Sequence, residues 1–153
     1  MIRAVTPFLV SLALSLTALT AGARAEPQLA VEIEGGNIVL TKDGRRTSLT
    51  DLARDSEAVL SPDGQWVYFT RTADAGQRSD DDEFPDCGTL PAPDELRRIR
   101  TDGTDDALIM TGRPGTEPTD ALCGFFEKQF SADGATLYFL SPAWTTSGAL
   151  HAI

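Results

Sequence analysis

After a first apolar stretch, the chain becomes a series of short apolar runs separated by polar turn letters. Ile38-Val39-Leu40, Trp66-Val67-Tyr68-Phe69, Leu108-Ile109-Met110 and Leu137-Tyr138-Phe139-Leu140 are the clearest runs, each bounded by Asp, Gly, Ser, Thr or Pro. Runs of this length, rich in aromatic and branched residues and closed by turn formers, read as strands. The pattern predicts strands near 28–34, 37–42, 45–50, 56–61, 65–71, 95–101, 106–111, 126–131, 135–140 and 148–153. No segment beyond Ala25 carries convincing helical periodicity. Pro93-Asp94-Glu95-Leu96-Arg97-Arg98-Ile99-Arg100 could form a helical turn, but it runs into Thr101-Asp102-Gly103 and is read as a strand. The expected fold class is all-β.

The turns repeat. Asp-Gly stands at Asp43-Gly44, Asp63-Gly64, Asp102-Gly103 and Asp133-Gly134, each between two strand-like runs. In Ser61-Pro62-Asp63-Gly64 the proline presets the second turn position and aspartate suits the third. Glycine then takes the left-handed conformation that follows a type I turn. Ser131-Ala132-Asp133-Gly134 keeps this logic with alanine in place of proline. The likeness extends beyond the turn: "EAVLSPDGQWVYFT" (Glu57 to Thr70) matches "EKQFSADGATLYFL" (Glu127 to Leu140) at an offset of 70 residues. Two hairpins in succession make an antiparallel four-stranded meander, and a repeated four-stranded meander is a propeller blade.

On these residues the chain resembles the TolB-like β-propeller repeats, which also occur in propeller domains of prolyl-oligopeptidase-type peptidases. The resemblance runs from about Asn37 to Ile153. It implies blades of four strands, and ten strands fill only about two to three, so the expected architecture is an incomplete propeller. Repeats of this class run about 40 to 50 residues. The excess here lies in Thr72 to Asp94 and Gly112 to Gly124, each of which contains one cysteine. "GALHAI" reads as the start of a third strand in the last blade. An open blade of this kind exposes an apolar face and an edge at Ala149 to Ile153, and self-association through it is expected.

Residues 1–25 read as a secretory signal peptide: Arg3, an apolar run from Phe8 to about Leu19, then Ala23-Arg24-Ala25. The run is shorter than the roughly 20 residues of a bilayer span. The expected mature domain is 26–153, beginning at Glu26, secreted and periplasmic, with no membrane insertion after cleavage. In an oxidising compartment Cys87 and Cys123, the two cysteines of the chain, read as a disulfide that ties the two insertions together. Closing that loop adds about 3 to 4 kcal/mol in the chain-entropy model. The alternative is two free thiols.

Charge and motifs narrow the chemistry. The formal charge is −10, which repels phosphate backbones and argues against nucleic acid. No G-x-S-x-G elbow is present, and His151 is the only histidine, so no catalytic residue is assigned. The run Asp80-Asp81-Asp82-Glu83, with Asp86, lacks the spacing of a calcium loop and reads as a solvated face, so no metal is assigned. No phosphate-binding loop or dinucleotide fingerprint is found, and no cofactor is expected. Trp66, Tyr68, Phe69, Tyr138 and Phe139 read as core. Phe84, Phe125, Phe126 and Trp144, in or beside loops, read either as packing residues or as anchors for a partner. The expected function is a non-catalytic module for protein–protein interaction in the cell envelope. The alternative is the propeller part of an exported peptidase whose catalytic domain lies outside these residues.

Overall fold

The computed structural model describes residues 29–72, 94–113, 122, 124–144 and 147–153. Among them the chain is all-β, with ten strands: β1 (Leu29–Glu34), β2 (Asn37–Lys42), β3 (Arg45–Ser48), β4 (Asp55–Leu60), β5 (Trp66–Arg71), β6 (Glu95–Arg100), β7 (Ala107–Thr111), β8 (Phe126–Phe130), β9 (Leu137–Trp144) and β10 (Ser147–Ala152). They form three antiparallel meanders, ordered β1-β2-β3, β4-β5-β6-β7 and β10-β9-β8. Every expected strand is present, and β9 runs on to Trp144 because Ser141 and Pro142 continue the pairing with β10. The expected signal peptide, Phe84, the Asp80–Asp86 run and both cysteines lie outside the described residues.

The middle sheet is covered on both faces. Alternation along β5 sends Val67 and Phe69 to one side and Tyr68 to the other. Val67, Phe69 and Ile99 pack with Ile38, Leu40 and Leu49 of the first sheet and its outgoing loop. On the opposite side Leu96 packs with Phe125, Leu137 and Phe139, joined by Val59, Tyr68, Ile109 and Met110. Meanders stacked face to face in chain order are a blade-like arrangement. Each fully buried Val, Leu, Ile or Phe contributes roughly 1.5–3 kcal/mol, so these two interfaces carry the core.

The repeated turns are held by more than their backbone conformation. Gly64 and Gly134 have φ of 68° and 72°, and each N–H donates back to the turn serine's carbonyl, at 2.8 and 2.9 Å. The serine hydroxyl donates to the aspartate (Ser61 to Asp63, 2.5 Å; Ser131 to Asp133, 2.6 Å) and accepts the N–H of Trp66 or Thr136. Asp63 also accepts the Gln65 N–H, and Asp133 the Ala135 N–H. These donors hold both carboxyls below the usual carboxylate range, the serine hydroxyl being the largest influence. The two turns are neighbours: a side chain on Gly134 would meet Pro62. Asp43-Gly44 is a different hairpin, with φ positive at both residues and a two-residue loop between Lys42 and Arg45, the mirror-image turn that suits strand twist. At Asp102-Gly103, Asp102 accepts the Thr104 N–H and hydroxyl.

Of the two readings weighed for Phe125 and Phe126, the packing one holds: Phe125 is fully buried and Phe126 begins β8. One expectation about aromatics needs correction. Tyr138, expected in the core, is 39% exposed. The cause is that β9 has a neighbouring sheet on one side only among the described residues.

Candidate functional site

The repeat makes the molecule its own reference for what a covered sheet face looks like. Thr70 pairs with Leu96 across β5 and β6, and its repeat counterpart Leu140 pairs with Leu150 across β9 and β10. Leu96 and Leu150 therefore occupy equivalent places on equivalent faces. Leu96 is fully buried under the third sheet, whereas Leu150 is 70% exposed. Tyr68 meets Phe130 edge-to-face at 5.2 Å, while its counterpart Tyr138 lies open. The outer face of the third sheet, with Tyr138, Leu140 and Leu150, is thus an apolar surface of the kind that is buried one sheet earlier. Ile153 exchanges both backbone hydrogen bonds with Leu137, so the edge expected open at Ala149 to Ile153 is paired with β9 on one side. Its other side has no strand neighbour among the described residues.

The first strands of the two sheets meet at a shared irregularity. In β4 and β8 the register shifts between Ser56 and Val59 and between Phe126 and Gln129. The bulged residues are Glu57 and Glu127, with φ of 52° and 47°, the left-handed region that is uncommon for anything but Gly, Asn or Asp. The Glu57 carboxylate accepts the backbone N–H of Glu127 at 3.2 Å, satisfying a donor that the bulge removes from the ladder. Beside this contact Lys128 is buried between the sheets. Its Nζ donates to Thr70 Oγ1 at 2.6 Å and to the Phe125 carbonyl, which also accepts the Thr70 hydroxyl at 2.7 Å. Burial pushes the Lys128 amine down to about 7, against the opposing pull of Glu57 and Asp94.

A second polar cluster spans the middle sheet. Arg71 makes a two-pronged contact with Asp55 (2.6 and 3.0 Å) and reaches Asp106 at 2.8 Å. Arg97 bonds Asp106 and Glu95. Burial opposes the Arg71 charge, but its bonds to Asp55 and Asp106 outweigh this and raise its pKa. Burial likewise tends to raise Asp106, yet Arg97 and Arg71 together hold it below the usual carboxylate range. Each charge here has a partner, so the cluster ties β4, β5 and β6 to the loop before β7.

His151 is brought to Ser141, with Nε2 and Oγ 2.7 Å apart. A hydroxyl beside an imidazole is the first half of a nucleophilic dyad. Ser141, however, is 1% exposed, and His151 is stacked on Phe139 at 5.1 Å. Burial, helped by the Arg113 charge, lowers the His151 pKa. A substrate carbonyl has no approach to Oγ in this arrangement, and the pair acts as a cross-strand clasp between β9 and β10.

The turn residues singled out in the sequence stand at one end of the sheets, where Thr101 bonds the Gly64 and Gln65 carbonyls. The two cysteine-bearing insertions leave from the opposite end. Arg71 pairs with Glu95 and Glu95 with Thr111, and the second insertion is closed by the bridge between Arg113 and Leu122. Sequence reasoning missed the bulges, the burial of Lys128 and the Ser141–His151 contact. The glutamate shared by the two repeat copies was the available signal for the first. No protein-family model matches the chain, and no curated protein matches it.

Proposed function

We propose that this chain is an exported, non-catalytic β-propeller segment that works by protein–protein interaction through the outer face of its third sheet. The observation that carries the reading is the contrast between Leu150, 70% exposed, and its fully buried equivalent Leu96. Exposed apolar surface on a regular sheet is a surface suited to a protein partner. The signal-like residues 1–25 and the net charge of −10 support an exported protein that avoids nucleic acid. The resemblance to TolB-like repeats supports the same setting, and fold alone assigns no chemistry.

The test is capture from envelope extract with the exported protein and with Leu150→Lys. The expected result is a specific partner retained by the natural chain and lost with the variant. Equal capture by both, or hydrolysis of a peptide substrate by the purified protein, would overturn the reading; hydrolysis would favour the peptidase alternative.

A further inference from the structure

An Asp-Gly pair carries a latent reaction of its own. The glycine nitrogen can attack the aspartate Cγ: an N–C bond forms, a C–O bond breaks and water leaves, closing a five-membered succinimide. Water then reopens the ring. Opening at the former backbone carbonyl gives isoaspartate, an isomer whose main chain runs through Cγ. Glycine favours the attack because no side chain shields its nitrogen. The chain has four such pairs, and the fold treats them differently.

Space does not separate Gly44 from Gly103, since a Cβ on either would meet nothing within 4 Å. Hydrogen bonds do. The nitrogens of Gly64, Gly103 and Gly134 donate to the carbonyls of Ser61, Arg100 and Ser131 at 2.8, 2.9 and 2.9 Å. Their aspartates are held as well. Asp63 and Asp133 each accept a serine hydroxyl and a backbone N–H. Asp102 accepts the Thr104 hydroxyl at 2.6 Å and its N–H at 2.9 Å. These bonds, the hydroxyl first, hold all three carboxyls below the usual range. They stay ionised, whereas the acid form is the one that releases water. At Asp43-Gly44 neither the attacking nitrogen nor the carboxyl is engaged in this way among the described residues.

Ring closure also needs the turn to open, and opening is easiest where little is buried. The turn joins β2 to β3, whose four residues are all exposed and pair with β2 alone among the described residues. Arg46 ties β3 to Glu32 and Glu34, but all three side chains are half exposed, and such pairs contribute little.

We propose that Asp43 is a specific modification site, which isomerises to isoaspartate in the folded protein while the other three Asp-Gly pairs are protected. The product adds one backbone carbon to a two-residue loop and disturbs the pairing of Lys42 with Arg45. The far end of the hairpin stays anchored, the Leu49 N–H on the Ile38 carbonyl at 2.8 Å and the Ile38 N–H on Thr50 at 2.9 Å, so the modified chain remains folded. The inference rests on the turns alone and is independent of the proposed function.

Peptide mapping of exported protein aged at mildly acidic pH tests it, with isoaspartate labelled by an isoaspartyl methyltransferase and a radioactive methyl donor. The same chain in urea is the reference, because there the local sequence alone sets each rate. In urea all four pairs should label within a few-fold of one another. In the folded protein Asp43 should label at least about tenfold faster than each of the others, the factor for one hydrogen bond to a charged group. Ser61→Ala should raise labelling of Asp63 by about the same factor and leave Asp43 unchanged. Thr104→Val should do so at Asp102, and melting curves taken first verify that each variant folds. Equal labelling of the four pairs in folded protein, a faster site among the other three, no label at folded Asp43 when the unfolded chain is labelled there, or unchanged rates at Asp63 and Asp102 in the folded variants would each overturn the proposal.

Discussion

Lys128 carries an amine into a space between two sheets, and its consequences follow from linkage. In the unfolded chain its pKa is near 10.4; in the fold, burial brings it to about 7. Below pH 7 both states are protonated and the full penalty of burying the charge applies. Between about pH 7 and 10 the unfolded chain binds the extra proton, so stability rises with pH, by at most about 1.4 kcal/mol per unit. Glu57 and Asp94, the charges that face the amine, moderate the slope. Lys128→Met should remove this rise and be more stable than the natural chain near neutral pH, with the Phe125 carbonyl still served by the Thr70 hydroxyl. Urea titrations of both proteins at pH 6, 7, 8 and 9 check it; parallel pH profiles would exclude a neutralised lysine. Alternation along β8 already places Lys128 on the same side as Phe130, which is legible in the sequence. That this side is covered by Thr70 and Phe125 comes from packing between sheets, which no local pattern encodes.

At the level of elements, the strands were legible because each hairpin carries its own turn chemistry. Ser-x-Asp-Gly pins the start of β5 and of β9 by side-chain bonds that close within six residues, so the neighbouring runs could be assigned without long-range contacts. The bulges of β4 and β8 were not legible, since a register shift depends on which residue of the partner strand lies opposite. Glu127 at φ 47° gives this a direct test. Left-handed geometry strains a residue with a Cβ by about 1–2 kcal/mol, and a β-branched side chain suffers most. Glu127→Gln should therefore melt close to the natural chain. Glu127→Gly should melt at or above it, because the strain is relieved against glycine's entropic cost of about 0.5–1 kcal/mol, and Glu127→Val should lose about 1–2 kcal/mol. A valine variant as stable as the glycine one would remove the strained bulge. The connections at the other end carry a further expectation. β5, β6 and β7 bring the anchors of both insertions into adjacent register at Arg71, Glu95 and Thr111. We therefore expect Cys87 and Cys123 to be joined in exported protein, with no thiol labelled after unfolding without reductant; two labelled thiols per chain would refute the bond.

The scale of the whole molecule is set by stacking: the middle sheet is held by neighbours on both faces, and the third has one among the described residues. That the strands fill only two to three blades could be counted from the turns, but which leucine is buried could not, because Leu96 and Leu150 both stand in a Leu-x-x-Ile run and differ in what lies over them. Their substitutions should separate accordingly. Leu96→Ala removes a fully buried side chain and should destabilise by about 2–5 kcal/mol. Leu150→Ala, at 70% exposure, should change the unfolding of the single chain by no more than about 0.5 kcal/mol. If the outer face pairs with a second copy, that same residue governs assembly instead of folding. Without residues 1–25, which hold Arg3 and Arg24 and no acid, the formal charge is −12; it repels like copies, and the repulsion is screened over about 8 Å at physiological salt, so association should strengthen as salt rises. Sedimentation of the protein lacking residues 1–25 should show a concentration-dependent monomer–oligomer equilibrium that shifts toward the oligomer between low and physiological salt. Leu150→Lys should abolish it, leaving a monomer that still melts cooperatively. A monomer at every concentration and salt would end the case for self-association and leave the face to a different partner.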